Sequence, residues 1–208
     1  VARGAVKRER ECNGSRILQA LKDVIGAIPK VHHPGFYGSV GRGPVRHHLF
    51  HSAEGDTAIC GPFNSESEFN AGLVRRLNGI WAANTRHSFK ADFYERKLDT
   101  MLRGHEPVFS HSDLQRKNIL VRRIQDQQSL GSTRFEVAII DWEEAGWYAS
   151  YWEYSVVFVA FDWGDDLLQR LEQIVDPWPS EAAILRMLYQ ENAIRSALTM
   201  SGERYLIS

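Results

Sequence analysis

Cysteine and long apolar runs are both scarce in this chain. Cys12 and Cys60 are the only thiols among 208 residues, too few for a disulfide framework, which points to a reducing compartment. The longest apolar stretch, Val156 to Phe161, falls far short of the roughly 20 residues that a bilayer core requires. The basic opening VARGAVKRER has no apolar segment behind it and does not read as a secretory leader. An excess of one charge is missing too. Against 25 Lys and Arg stand 26 Asp and Glu, a net charge of −1 with His neutral, so neither nucleic acid nor an anionic membrane is an expected partner. The sequence also lacks internal repeats and low-complexity segments. These exclusions leave a globular, cytoplasmic chain, long enough for one domain with a real core.

The apolar residues that are present fall mainly at helical spacing. Residues 1–14 are charged and without period, and read as a tail ahead of a domain over 15–208. Ser15 is positioned to cap a helix whose face carries Ile17, Leu18, Leu21, Val24, Ile25 and Ile28, ended by Pro29. Residues 31–64 hold nine glycines and prolines and read as loop with at most short elements. Ser65 and Glu68 form a capping box ahead of the stripe Phe69, Leu73, Leu77, Ile80 and Trp81, and another helix is expected over 92–102. The period then changes. Residues 107–109, 118–124 and 135–140 read as strands, with a polar loop over 125–134 between the last two. Helices return around 151–161, 165–175 and 180–198. The expected class is α+β, mostly helical.

The stretch HSDLQRKNIL, residues 111–120, leads from the first strand into the second. The second and third strands, joined by one loop, are expected to pair antiparallel. That pairing sets Asn118, opening one strand, beside Asp141, closing the other, with Asp113 on the loop just before them. Magnesium takes oxygen ligands, one or two from protein and the rest from phosphate and water. Asp141 offers a carboxylate, Asn118 a carbonyl that adds no charge, and Asp113 a base for an attacking hydroxyl. In-line phosphoryl transfer needs that set. His111 reads as a brace for the loop, with a general-base role as the second reading. The bland alternative is a surface loop entering an ordinary strand.

The run His111-Ser-Asp113-Leu-Gln-Arg-Lys-Asn118, followed by Ile139-Ile140-Asp141-Trp142-Glu143, resembles the aminoglycoside phosphotransferase and choline kinase-like family, small-molecule relatives of the protein kinases. DWEEAGWYASYWEY, GPFNSESEFN and GSVGRGPVR resemble its fungal branch, and the likeness spans residues 15–190. The resemblance implies the C-terminal lobe of a protein kinase-like fold with a catalytic β-hairpin. It implies Asp113 as catalytic base and Asn118 and Asp141 as the holders of Mg2+ and, through it, of ATP, the phosphate donor. Glu143 and Glu144 then lie on the side that receives a small-molecule hydroxyl acceptor. Two departures stand out. The family usually has glycine where this chain has Ser112. Its amino-terminal lobe would precede Ser15, where fourteen residues stand, so that lobe is expected to be largely absent. A catalytically inactive remnant acting as a binding module is therefore the alternative to an ATP-dependent phosphotransferase.

Other features have plainer readings. GSVGRG at 38–43 matches neither the dinucleotide fingerprint nor the P-loop, and reads as a turn-rich loop. His47 and His51, four apart, come without cysteines or a clear helix, so no zinc is assigned. Trp142, Trp147, Tyr148, Tyr151, Trp152 and Tyr154 read mostly as core, with Trp147 and Tyr148 as candidates to stack on an acceptor. Glu143, Glu144, Glu153, Asp162, Asp165 and Asp166 either attract a cationic acceptor or coat solvated helix faces. A metal-dependent phosphohydrolase built on His111, Asp113 and Asp141 is the remaining rival.

Overall fold

A computed structural model of the protein describes residues 2–27, 33–82, 89–125, 133–160 and 166–202. The described residues form a mixed α+β structure, mostly helical, with seven α-helices and two small antiparallel sheets. The first helix, α1, is Ala2–Ala27. It begins thirteen residues ahead of Ser15, because the Ala, Arg, Lys and Glu of the opening residues favour helix without needing an apolar face. The expected stop at Pro29, with Ile28 before it, lies outside the described residues. Residues 33–64 hold only a two-residue strand, β1 (Gly38–Ser39), a 3-10 turn (His48–Phe50) and one helical turn, α2 (Thr57–Cys60).

Helix α3, Glu66–Ala82, buries Phe69, Leu73, Leu77 and Trp81. Ser65 caps it, its Oγ accepting the Glu68 N–H at 3.2 Å, while the Glu68 carboxylate reaches back to the Asn64 N–H at 2.8 Å. The reciprocal bond of the capping box thus lands one residue early. Fully buried Phe69 is the hub of an aromatic core, with ring centroids of Phe50 at 4.6 Å, Tyr37 at 5.1 Å and Trp152 at 5.4 Å. Helix α4 (Phe89–Met101) adds Tyr94 and Leu98 to the same core.

The middle of the chain supplies strands β2 (Pro107–Ser110), β3 (Ile119–Gln125), β4 (Thr133–Ile139) and β5 (Gly146–Ala149). β3 and β4 pair antiparallel, with Ile119 opposite Ile139 and Gln125 opposite Thr133. The residues that connect them, 126–132, lie outside the described residues. β5 is not foreseen in the sequence. It pairs with both β1 and β2, giving a three-stranded sheet in the order β1-β5-β2. All four of its residues are buried, so no alternation of polar and apolar side chains marks it. A Cβ at Gly146 would meet the Gly38 carbonyl oxygen at 2.5 Å, which is why glycine stands where β1 crosses.

Helices α5 (Trp152–Ala160), α6 (Leu167–Leu171) and α7 (Pro179–Gly202) complete the fold. The chain readings over 151–161 and 180–198 coincide with α5 and α7, whereas the helix read over 165–175 is a short α6. A second apolar cluster joins Leu21 of α1, Leu114, Ile139, Val157, Leu168 and Leu171 behind the β3–β4 ribbon. Among the described residues, no helix is long and apolar enough to cross a membrane.

The ribbon is not fully covered. Leu120 and Val121 are 51% and 44% exposed, and consecutive strand residues face opposite sides, so apolar surface is open on both. This surface should drive association at high protein concentration. Sedimentation velocity across a concentration series should show oligomers in the native chain and fewer in Leu120→Lys. A native chain that stays monomeric throughout would remove the basis for that expectation.

Candidate active site

Two loops meet where the ribbons end. Residues 111–118 connect β2 to β3, and residues 140–145 connect β4 to β5. Because β2 pairs with β5 and β3 with β4, each loop starts and finishes beside the other: Ser110 lies opposite Gly146, and Ile119 opposite Ile139. The ladder carries on one step further, with the Ile140 N–H donating to the Asn118 carbonyl at 3.0 Å.

Side chains then lock the loops together. The Glu153 carboxylate, near the start of α5, accepts the His111 N–H at 2.6 Å and the Ser112 N–H at 3.1 Å through one oxygen, Oε2. Its other oxygen, Oε1, is buried without a hydrogen-bond partner among the described residues. Burial pushes the Glu153 carboxyl up, against the two N–H bonds that favour its charge. The His111 ring spans both loops. Its Nδ1 accepts the Asp113 N–H at 3.2 Å, which puts the ring proton on Nε2, facing the Ile140 carbonyl at 2.9 Å. Both ring nitrogens are thereby engaged with backbone, and the ring edge packs against Trp142 at 4.7 Å.

Each loop has one residue in the left-handed backbone that glycine prefers, Ser112 at φ 70° and Asp141 at φ 67°. Strain of this kind, about 1–3 kcal/mol per residue, persists only where surrounding contacts over-determine it. At Ser112 the contact is visible. The fully buried side chain accepts the Trp152 indole N–H at 3.0 Å, a bond that glycine would forgo. Asp tolerates this region better than most residues.

Asp113 is gripped from three sides. Its Oδ2 receives Asn118 Nδ2 at 2.9 Å and lies 2.9 Å from Lys117 Nζ, and Gln115 Nε2 donates to Oδ1. Asn118 also donates from Nδ2 to the Asp113 carbonyl at 2.9 Å. Both bonds use the amide nitrogen and leave Oδ1 outside them. Asp113, Asp141, Glu143 and Glu144 line one cleft of about 310 Å³, with Lys117 as the cation among them. Crowding shows in Glu144: burial, then the neighbouring Asp113 and Glu143 carboxylates, raise its pKa from 4.5 to about 7.

Of the candidates read from the sequence, the structure brings Asp113, Asp141, Glu143 and Glu144 onto this cleft, with His111 and Asn118 directly beneath as supports for Asp113. It does not bring Trp147 or Tyr148 there. Both rings are core, buried to 7% and 1% exposure on β5; Tyr148 stacks on Trp152 at 5.1 Å and donates its hydroxyl to the Glu144 carbonyl at 2.7 Å. Asp162 and Asp165 lie outside the described residues. Asp166 is bound to Arg116 and Arg170 at the rim of α6. Glu153 is the residue that sequence reasoning undervalued; it counted there only as one acid among several. Among the described residues, no group of three or more His, Cys, Asp or Glu could hold a metal ion.

Two outcomes follow from these contacts. Ser112→Ala removes the acceptor of a buried indole N–H and should cost about 1–3 kcal/mol. Ser112→Gly loses the same bond but relieves left-handed strain of about 1–2 kcal/mol, so its urea midpoint should lie close to the native one; a Gly variant as weak as Ala would remove the strain argument. For Glu144 the folded pKa is raised, so the stability it contributes is complete below 4.5 and is lost as pH rises through about 7. In Glu144→Gln, thermal unfolding followed from about pH 5 to about pH 8 without divalent cations should show a smaller decline than in the native chain. Equal declines would mean that the carboxylates do not crowd Glu144. Compared with protein-family models, with curated proteins and with solved structures, the chain matches none.

Proposed function

We propose that this chain is the helical lobe of a kinase-like fold, of the aminoglycoside phosphotransferase and choline kinase-like kind, and that its cleft serves ATP- and magnesium-dependent phosphorylation of a small-molecule hydroxyl. The observation that carries this reading is the state of Asp113. Its carboxylate is oriented by Asn118, Lys117 and Gln115, stands on a loop fixed by Glu153 and His111, and faces a cleft shared with Asp141. A positioned base beside a second, separately held carboxylate is what in-line transfer asks of a protein.

The donor set suits magnesium. Asp141 offers a carboxylate on the cleft, Asn118 keeps its amide Oδ1 outside its two bonds to Asp113, and the surplus of negative charge that raises Glu144 is the field a divalent cation relieves. Held by Asn118 and Asp141, magnesium would supply neutralisation of the phosphate oxygens. Asp113 accepts the proton of the acceptor hydroxyl as its oxygen bonds to the γ-phosphorus. The bond from that phosphorus to the bridging oxygen breaks, and ADP leaves. Lys117, exposed and drawn to Asp113, holds positive charge at the rim. Leu120, Ala138 and Ile140 alternate onto one exposed face of the ribbon beside Asp141, an apolar floor suited to a nucleotide base. Glu143 and Glu144 favour a cationic acceptor.

The binding-module reading draws on the same uncovered apolar residues. Calorimetric titration with ATP separates the two. An enzyme should bind ATP only with magnesium, lose at least about tenfold in affinity in Asp141→Asn, and keep affinity but lose phosphoryl transfer in Asp113→Asn. ATP binding that ignores both magnesium and Asp141, or no binding at all, would end the phosphotransferase reading and leave the module.

A further inference from the structure

Strand β2 runs straight into the loop that bears Asp113, yet its own ladder is short. It has four residues, lies at the edge of its sheet among the described residues, and pairs there with β5. It also opens on Pro107, which has no N–H to give. Contacts beyond the ladder therefore help to fix where it begins and ends. At its far end the Glu153 carboxylate takes the His111 and Ser112 N–H groups. The near end repeats the arrangement. There the Glu66 carboxylate takes the Gly104 N–H at 2.7 Å and the His105 N–H at 3.2 Å. Each acid stands in the first turn of its helix, Glu66 on α3 and Glu153 on α5, where the helix dipole favours its charge.

The clasp at Glu66 goes beyond two backbone bonds. His105 is 5% exposed, and its ring Nδ1 lies 2.6 Å from Glu66 Oε1, which puts a proton on that nitrogen. Its Nε2 faces Glu181 Oε1, in the first turn of α7, at 3.5 Å. The His105 carbonyl accepts the Tyr37 hydroxyl at 2.7 Å. The rings of Tyr151 and Trp178 close around the imidazole, edge-on at 4.8 and 5.1 Å. Gly104, at φ 91°, supplies without strain the left-handed step from which two successive N–H groups converge on one carboxylate.

We propose that Glu66 is a positioning residue for Asp113, acting through β2. Its hold on residues 104 and 105 sets where the strand starts, and the strand carries that setting to the loop that Glu153 receives. Glu66 is not among the residues that line the cleft, so it acts without touching a ligand. An extended backbone this short has little slack, because bond lengths and planar peptides fix the reach of each residue. The consequence for phosphoryl transfer rests on the reading of Asp113 as the base; the coupling along β2 does not.

The test is amide hydrogen exchange, followed by NMR on the full chain. It uses no nucleotide and no acceptor, so it stands or falls apart from the phosphotransferase reading. The His111 and Ser112 N–H groups are bound by Glu153, and they exchange faster in Glu66→Ala only if the opening that frees them also loosens the Glu66 clasp. Both should accelerate at least about tenfold over the native chain, as expected when hydrogen bonds to a charged group are lost. Amides of the β3–β4 ribbon, on a separate sheet, report general stability and should accelerate by a smaller factor. In Glu66→Gln an acceptor oxygen remains, so the same two amides should rise about threefold; this variant gives the answer should Glu66→Ala not fold. Unchanged exchange at His111 and Ser112, or an equal factor at the ribbon amides, overturns the proposal.

Discussion

Two backbone pairings, β2 with β5 and β3 with β4, decide where the four carboxylates of the cleft can stand. Each of the two loops leaves one ribbon and enters the other, so neither can shift without breaking ladder bonds at both of its ends. Eight residues of one loop and six of the other are thereby confined to a shared space. The side-chain contacts refine this confinement. Glu153 draws the first loop onto α5, and His111 ties it to the second through the Ile140 carbonyl. Preorganisation of this sort comes from strands and helices packed behind the site, which hold geometry better than loops acting alone.

The electrostatics follow from the same confinement. Four carboxylates on one cleft, with one ammonium among them, repel one another at short range in a partly dry setting. The protein answers in two ways. It loads Asp113 with donors, and it lets Glu144 rise toward neutrality. The cleft is thus held at some electrostatic disadvantage, which positive charge placed in it would relieve. Crowded charge of this kind weakens a fold unless it is paired.

Much of this was legible beforehand, for identifiable reasons. The α3 stripe and its cap were readable because helical period and capping chemistry act within a few residues of one another. The β3–β4 ribbon was readable because NILVRRI and FEVAII are rich in strand formers and lie close in sequence. The first turns of α1 were not, since helix propensity without an apolar stripe leaves no period to detect. β5 was hidden because four residues buried on both faces alternate in nothing. Trp147 and Tyr148 looked like ligand-stacking rings for the same reason: an aromatic in a short inner strand and one on a cleft wall are written alike. Glu153 and the Glu66–His105 pair depend on contacts across 42 and 39 residues of sequence, and no local pattern encodes such distances.

The left-handed turns at 112 and 141 restrict which mutational paths are open to this protein. Val, Ile and Thr are excluded at both places by their branched Cβ, whatever chemistry the cleft performs, whereas Gly and Asn are sterically admitted. At 141 an amide can therefore replace the carboxylate with the chain trace undisturbed. Charge and shape are separable at that position, and a cleft with one carboxylate fewer lies one substitution away from this one with its architecture intact.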